Sequence, residues 1–427
     1  MMGINAERRS SINRILPRLF GISLMLLVFF CPLASQTYRA FQAEKNYLIE
    51  QTRWQFGPFR LFPRVMLKNI GYDDNVYYQR EEDKITDYTG TLSPELRVSV
   101  LFRNWLILNL RENPEYVYYL HEKRERRWNN TFSPEFKLLL FRRFVLGGNY
   151  SYQNRRRRAT SEFDVRANEK RAVYKGSFFY ETPRMTLIGV TVTRERIKYE
   201  DVTLPGREIY LSRRLNRDEE RIRGEFYYRI FSQSFFFLIG EKATYDFLHP
   251  QSFWRNSYSY GVSTGIRFPE IGRIRGTLTV GYKKLIPRET TRRGFSGLTG
   301  NTSLQFRVWR TIFRLELSRD YPFSVWTNNI YFNYNRLGSG LSFYLSRNLR
   351  LDYNLSYGQL NYPEPFQVSG ELIKRKDEQL YHTGAIVIRL KKNLGMGLQL
   401  TWWRWTSNLP GVNRDRIFFG AFVTQEF

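Results

Sequence analysis

Apolar and polar side chains alternate along Thr91–Leu106, TLSPELRVSVLFRNWL, and again forty residues later along Thr131–Leu146, TFSPEFKLLLFRRFVL. In the first copy Leu92, Leu96, Val98 and Val100 share one parity, and Thr91, Ser93, Glu95, Arg97 and Ser99 share the other. In the second copy Phe132, Phe136, Leu138 and Leu140 stand against Thr131, Ser133, Glu135 and Lys137. A period of two is that of a β-strand with one apolar and one polar face. Each copy ends in a short basic or polar turn before a returning strand begins, so the repeated unit is strand, tight turn, strand.

From Phe59 onward the chain continues in this manner, with connections of two alternating classes. Short ones lie near Phe102–Asn104, Phe141–Arg143, Glu181–Arg184, Ser232–Ser234, Pro269–Arg273, Trp309–Arg310, Ser346–Asn348 and Lys391–Asn393. Longer ones lie near 79–87, 121–130, 153–171, 200–220, 248–256, 283–294, 319–327, 361–379 and 406–415. Together they join about eighteen strands, an even number, as in bacterial outer-membrane barrels, where short turns face the periplasm and long loops face outward. The fold class expected is therefore all-β, a transmembrane antiparallel outer-membrane β-barrel with both termini on the periplasmic side. Residues 328–346 are taken as one long strand across Gly338 and Gly340. Pro94 and Pro134 fall inside strands of a closed sheet, where proline removes a ladder hydrogen bond and usually marks a bulge.

Composition separates the barrel from its alternatives. A mean hydropathy of −0.49 excludes a helical membrane protein, while 17% aromatic residues and 29 glycines suit a barrel of aromatic-girdled strands. Arg8, Arg9, Arg14 and Arg18 precede the apolar run Leu19–Phe30, which is too short to span a bilayer and reads as a secretory signal peptide over residues 1–35, cleaved near Ala34 or Ser35. Its removal takes away four arginines and one glutamate, lowering the formal charge of +27 by three, and takes away the only cysteine, Cys31, leaving no disulfide. Residues 36–58 form an N-terminal segment in which Tyr38–Phe56 suits a short amphipathic helix, to be placed in the periplasm, in the lumen or on a partner, or a flexible lead-in. Residues 59–427 form the barrel.

In a barrel the polar parity points inward. That parity supplies Arg97, Lys137, Arg223, Arg229, Arg267, Arg275, Arg307, Arg314, Arg350 and Arg389, with Glu95, Glu135, Glu225, Glu316 and Asp352, so cations outnumber anions ten to five. Cross-strand pairing accounts for part of this set. The excess positive charge raises the local concentration of anions and repels cations, which predicts a pore for anionic or carbohydrate cargo. The basic clusters Arg155–Arg158 and Arg124, Arg126 and Arg127 read as solvated loops facing lipopolysaccharide phosphates, with no nucleic acid involved. Trp105 and Phe144 near short turns, and Tyr118, Tyr152 and Trp402 towards long loops, mark two aromatic girdles. Tyr227, Tyr331 and Trp403 lean inward.

Catalytic signals are sparse. The histidines His121, His249 and His382 belong to no nucleophile motif such as G-x-S-x-G and have no metal-ligand spacing, and Asp73-Asp74-Asn75 lacks the spacing of a calcium loop. That acidic cluster reads as a lip at the outer end of the first strand. No enzyme, cofactor or metal is expected.

Two stretches carry a resemblance. The last strand, RIFFGAFVTQEF (Arg416–Phe427), presents Phe419 and the terminal Phe427 on its outward parity and resembles the C-terminal signal read by the barrel assembly machinery, with Gln425 as an interruption. The first strand, with Pro63, Val65, Leu67 and then GYDDNVYY (Gly71, Tyr72, Asp73, Asp74, Asn75 through Tyr78), together with the Ser-Pro-Glu starts at 93–96 and 133–136, resembles a family of outer-membrane β-barrel porins often associated with exopolysaccharide biosynthesis and export. The resemblance implies an outer-membrane location and a conduit for secreted polysaccharide that works with a periplasmic and inner-membrane export apparatus; the family offers no catalytic residues to carry over. The alternative is a general or anion-selective diffusion porin for nutrient uptake. A third reading is a barrel lipase or protease built around His382.

Overall fold

The computed structural model describes residues 36–52, 54–160, 162–183, 186–204, 207–231, 234–268, 273–326 and 328–427. The expected signal peptide at 1–35, with its cleavage site and Cys31, lies outside the described residues, as do parts of the short turns at Ser232–Ser234 and Pro269–Arg273.

Eighteen strands form one closed antiparallel barrel. They are β1 (Phe59–Asp73), β2 (Asp87–Phe102), β3 (Leu106–Tyr119), β4 (Arg127–Leu140), β5 (Phe144–Thr160), β6 (Phe163–Glu181), β7 (Leu187–Tyr199), β8 (Arg217–Arg229) and β9 (Phe235–Phe247). The second half comprises β10 (Ser257–Phe268), β11 (Ile274–Pro287), β12 (Phe295–Val308), β13 (Thr311–Asp320), β14 (Asn333–Tyr344), β15 (Leu349–Asn361), β16 (Lys376–Lys391), β17 (Leu394–Ser407) and β18 (Arg414–Glu426). Each strand pairs with the next, and β18 closes on β1 from Arg64↔Glu426 to Asp73↔Phe418. Closure leaves no open sheet edge, the condition for crossing lipid with strands.

Period-two patterning sets the two faces of the wall. Leu96, Phe136, Val190, Val192, Ile222, Val262, Val280, Leu298, Leu337 and Leu398 are exposed and point to the lipid side. On the other parity Ser93, Ser99, Thr131, Ser259 and Thr401 are buried within the barrel. Among the described residues no helix is long and apolar enough to cross a membrane.

Pro94 and Pro134 do not produce bulges. The β2–β3 ladder skips from Leu92↔Tyr116 to Leu96↔Glu112 and the β4–β5 ladder from Phe132↔Tyr152 to Glu135↔Asn149, each without a change of register. An asparagine on the neighbouring strand fills each gap. Asn113 donates to the Pro94 carbonyl at 2.9 Å and to the Ser93 hydroxyl at 3.0 Å. Asn149 does the same for Pro134 at 3.4 Å and Ser133 at 3.2 Å. The register of β1 shifts instead between Leu67 and Ile70, where Asn69 has φ 54°.

Two expected connections differ. Residues 153–171 are not a long loop: β5 and β6 pair as one extended hairpin from Phe144↔Tyr180 to Thr160↔Phe163. Residues 328–346 are not one strand: 321–332 is a loop and β14 starts at Asn333. Gly340, on the inward parity of β14, makes room for its neighbours, since a Cβ there would sit 2.7 Å from Asn354 Oδ1 and 3.2 Å from Arg314 Nη1.

Candidate functional site

All fifteen residues singled out for the lumen sit on the inward parity of their strands, as the registers place them. The ten cations are not spread evenly along the pore. All but Arg223, which sits at mid-strand, stand towards the short-turn end of their strands, so they form a belt around the periplasmic half. Many of their partners are on the same wall. Arg111 Nη2 lies 2.8 Å from Glu95, with Arg97 at 3.7 Å. Glu135 pairs with Lys137 at 3.2 Å, Arg223 with Glu241 at 2.5 Å and Arg350 with Asp352 at 2.8 Å. Glu225 accepts from Thr191 and Tyr227 at 2.7 Å each, and Arg267 lies 4.8 Å over the Tyr227 ring. Glu316 is 3.9 Å from Arg336, a lumen cation not recognised in the sequence. Arg314 bonds Ser342 and Asn354, and Arg229 bonds the Phe231 carbonyl. Arg275 is half-buried in the wall, while Arg307 and Arg389 stay exposed to the lumen.

A helix occupies the inner end of this belt. α1 (Gln36–Gln51) places Phe41 and Leu48, seven residues apart and so on one face, against the inward side chains Leu101, Ile107, Leu139, Phe62 and Val145. Glu44 accepts from Lys137 at 2.8 and 3.0 Å, and Lys45 donates to Asn104 at 2.6 Å. The N-terminal segment is thus held on the lumen wall beside the periplasmic turns.

At the outer end, segments from opposite walls meet across the lumen. The β5–β6 hairpin and the loop 321–332 spring from walls nearly half a circumference apart, in a barrel roughly 35 Å across for strands 4.8 Å apart and tilted by about 40°. They nevertheless touch. At the hairpin tip, buried Glu162 accepts from the Ser324 hydroxyl and the Val325 amide, both at 2.7 Å. Ser324 and Val325 are 0% and 1% exposed, so this contact lies deep in packed protein over the lumen. Burial pushes the Glu162 carboxyl up to about 7, against the opposing pull of Ser324, Val325, Tyr362 and Arg375.

Arginines on aromatic rings fill the space around that contact. Arg255, 1% exposed, donates to the carbonyls of Arg214 at 2.7 Å and Trp326 at 3.1 Å and lies 4.6 Å over Trp254. Burial lowers its guanidinium to about 10, although Glu162 pulls the other way. Arg375 forms a forked pair with Asp377 at 2.7–3.0 Å and faces Tyr362, Trp326 and Phe366. Arg158 lies 4.8 Å over Trp405 and 5.0 Å over Trp403, which projects inward and packs edge-on to Tyr78. Tyr331 lies tilted against Phe295, with ring centroids 4.8 Å apart. Asn328 and Asn329 tie the crossing loop to the carbonyls of Pro365 and Glu364.

The basic run Arg155–Arg158 is therefore not a solvated loop. Arg155 bonds Thr131, Arg156 forks onto Glu125 at 2.5 and 2.7 Å, and Arg157 forks onto Glu169 at 2.5 and 3.0 Å.

The Gly71–Asn75 motif is the clasp of the β1–β18 seam. Asp73, 0% exposed, takes a forked pair from Arg416 at 2.6 and 2.7 Å. Asp74 accepts from the Ile417 amide at 2.6 Å, and Asn75 donates to the Asp415 carbonyl at 2.8 Å. Gly71 allows the strands to meet, because a Cβ there would stand 2.0 Å from the Phe419 carbonyl oxygen. Tyr72 faces outward, its ring tilted against that of Tyr88. For Tyr78, burial raises the hydroxyl but the guanidiniums of Arg416, Arg166 and Arg158 outweigh it and hold it below the usual phenol range. Phe419 is exposed on the lipid face, and the Phe427 amide donates to the Pro63 carbonyl at 3.1 Å.

The histidines are dispersed. His121 contacts Asp87 at 3.0 Å, His249 caps the short helix 250–255, and His382 lies on the outer wall with Tyr353 at 2.6 Å and Trp402 alongside. Among the described residues no group of three or more histidines, cysteines or acids is placed to hold a metal ion.

Comparison with known proteins adds a family. The model of the family described as "Putative beta-barrel porin 2" matches residues 50–427. No curated protein matches the chain. Among solved structures, the outer membrane protein opdK from Pseudomonas aeruginosa is 8% identical, with 86% of this chain and 98% of that chain covered and a TM-score of 0.47. OccK3 (OpdO) from the same organism is 9% identical, with coverages of 86% and 95% and a TM-score of 0.47. Its siderophore receptor PirA is 10% identical, with coverages of 86% and 80% and a TM-score of 0.43.

Proposed function

The chain belongs to the family described as "Putative beta-barrel porin 2", an outer-membrane barrel family, and from that premise we propose a conduit for anionic, carbohydrate-type cargo that is closed at rest. One observation carries this reading: a belt of lumen arginines lies between an inner helix and an outer closure latched by Glu162. The belt enriches anions in the path. The outer closure would keep such a pore from leaking, and α1 would narrow its inner end. The cargo in the leading reading is a secreted polysaccharide, delivered by a periplasmic and inner-membrane apparatus that meets the barrel at the end where α1 docks. We read the chain as a transporter and not a catalyst; His382, on the lipid-facing wall against Tyr353 and Trp402, is in our reading part of the aromatic girdle.

A second reading, uptake of small anions, is favoured by the basic cavity among the outer loops. Two measurements separate these. Purified protein in a planar bilayer under a salt gradient should open rarely and, when open, reverse towards the anion potential. Arg307→Glu with Arg314→Glu should move the reversal towards cations, and an unchanged reversal would remove these side chains from the path. Extracellular polysaccharide should fall in a clean deletion strain and return on complementation; an unchanged yield favours anion uptake.

A further inference from the structure

The outer loops enclose a cavity of about 520 Å³ beside the closure, with Glu162 and Trp326 in its wall. Its wall combines six arginines with three carboxylates. Of those arginines, Arg156 is committed to Glu125, Arg375 to Asp377 and Arg166 to the Tyr119 hydroxyl, and Arg414 packs on Trp405. Arg80 is half-exposed and only loosely placed, 3.8 Å from Glu82. Arg124 donates to the Tyr77 hydroxyl at 2.7 Å and to the Glu122 carboxylate at 3.2 Å, and its outer edge is half-exposed. Apolar groups such as Val202, Leu409 and Val412 line the same cavity.

We propose that this cavity is a binding site for an anionic saccharide, of the size of a uronate disaccharide. The volume falls in the range of ordinary small-molecule sites, about 300–1,000 Å³. Half-exposed guanidinium forks match the two oxygens of a carboxylate. The apolar stretches suit the C–H faces of a sugar ring, whereas a bare inorganic anion would leave most of that wall wet. The identity of the ligand rests on the anionic-cargo reading above; the existence of an anion site rests on the cavity alone. Glu162 and Trp326 both line it, so a bound ligand lies directly against the contact that joins the hairpin tip to the crossing loop.

The test is calorimetric titration of the purified full-length barrel with a uronate disaccharide, a neutral disaccharide of equal size and inorganic phosphate. The expected result is saturable uronate binding, with the neutral sugar and phosphate at least tenfold weaker. In Arg80→Gln/Arg124→Gln, chosen because both side chains are half-exposed, uronate affinity should fall at least tenfold while the folded barrel keeps its migration on unheated gels. Equal binding of the neutral sugar, tighter binding of phosphate, no binding at all, or an unaffected double variant would each overturn the proposal. Loss of the site with an intact anion preference in bilayers would leave the conduit reading standing, and cation preference with intact binding would do the reverse.

Discussion

The two ends of the lumen use arginine in opposite ways. At the inner end, Arg97, Arg223, Arg350 and their neighbours stand on strands, reach into water and pair with acids two positions along the strand or directly opposite on the next one. At the outer end, Arg158, Arg255, Arg375 and Arg416 are packed against aromatic rings or forked onto buried carboxylates. The first population shapes the field inside the pore. The second is a structural mesh, in which guanidinium planes fill the space that apolar side chains fill in a soluble core. The difference teaches that counting cations does not locate a conducting path; their burial does.

The comparison is broken most directly by deleting one arginine from each population. Arg416→Ala leaves Asp73 buried without its forked partner, which should cost about 3–5 kcal/mol, whereas Arg97→Ala should cost less than about 1 kcal/mol because its pair with Glu95 is solvent-screened. The temperature at which the barrel loses its folded gel migration should drop clearly for the first and barely for the second. Equal drops would mean the two ends are not distinct.

Next in size is the latch. Glu162→Ala removes two hydrogen bonds to a carboxylate, each worth roughly 1.5–3 kcal/mol, so the mouth should open about a hundredfold more often in bilayer recordings. Recordings matching the native protein would place the gate elsewhere. A smaller effect is expected at the inner end, where Leu48→Ala removes one of two apolar anchors of α1 and should cost about 2–3 kcal/mol of docking. Protease added to the periplasmic side should then clip residues 36–51 faster, with barrel melting unchanged.

The smallest effect is that of pH. Burial holds Glu162 near 7, above its ordinary value, among Ser324, Tyr362, Arg255 and Arg375. The closed mouth therefore binds a proton more tightly than an open one, and closure weakens as pH rises from the ordinary carboxyl range towards 7. Openings should be more frequent at pH 8 than at pH 5, and Glu162→Gln should flatten that dependence. A pH response that survives the substitution would assign it to another group.

Much of the wall was legible because a period of two is local. Leu92 to Val100, and the partner run in β4, assign strand and face without any knowledge of neighbours. The lumen cations follow from the same parity. The mesh was not legible. Glu162 meets Ser324 across 162 positions and Arg416 meets Asp73 across 343, and no local pattern encodes such contacts. A trace was present: Phe323–Trp326 is an apolar stretch inside a connection, where a solvated loop would be polar. The Arg155–Arg158 run misled for a related reason, since charge density marks a solvated loop only when the acids that neutralise it, here Glu125 and Glu169, lie elsewhere.

The sequence by itself determined the alternation, the two classes of connection and hence an antiparallel barrel with an inward basic parity, because these depend on which side of a strand each residue occupies. Only the tertiary structure decided that the Gly71–Asn75 motif clasps first strand to last, that α1 lies on the lumen wall, and that the outer loops close over the pore. Those outcomes depend on side chains brought together by closure of the sheet, and closure is a property of all eighteen strands at once.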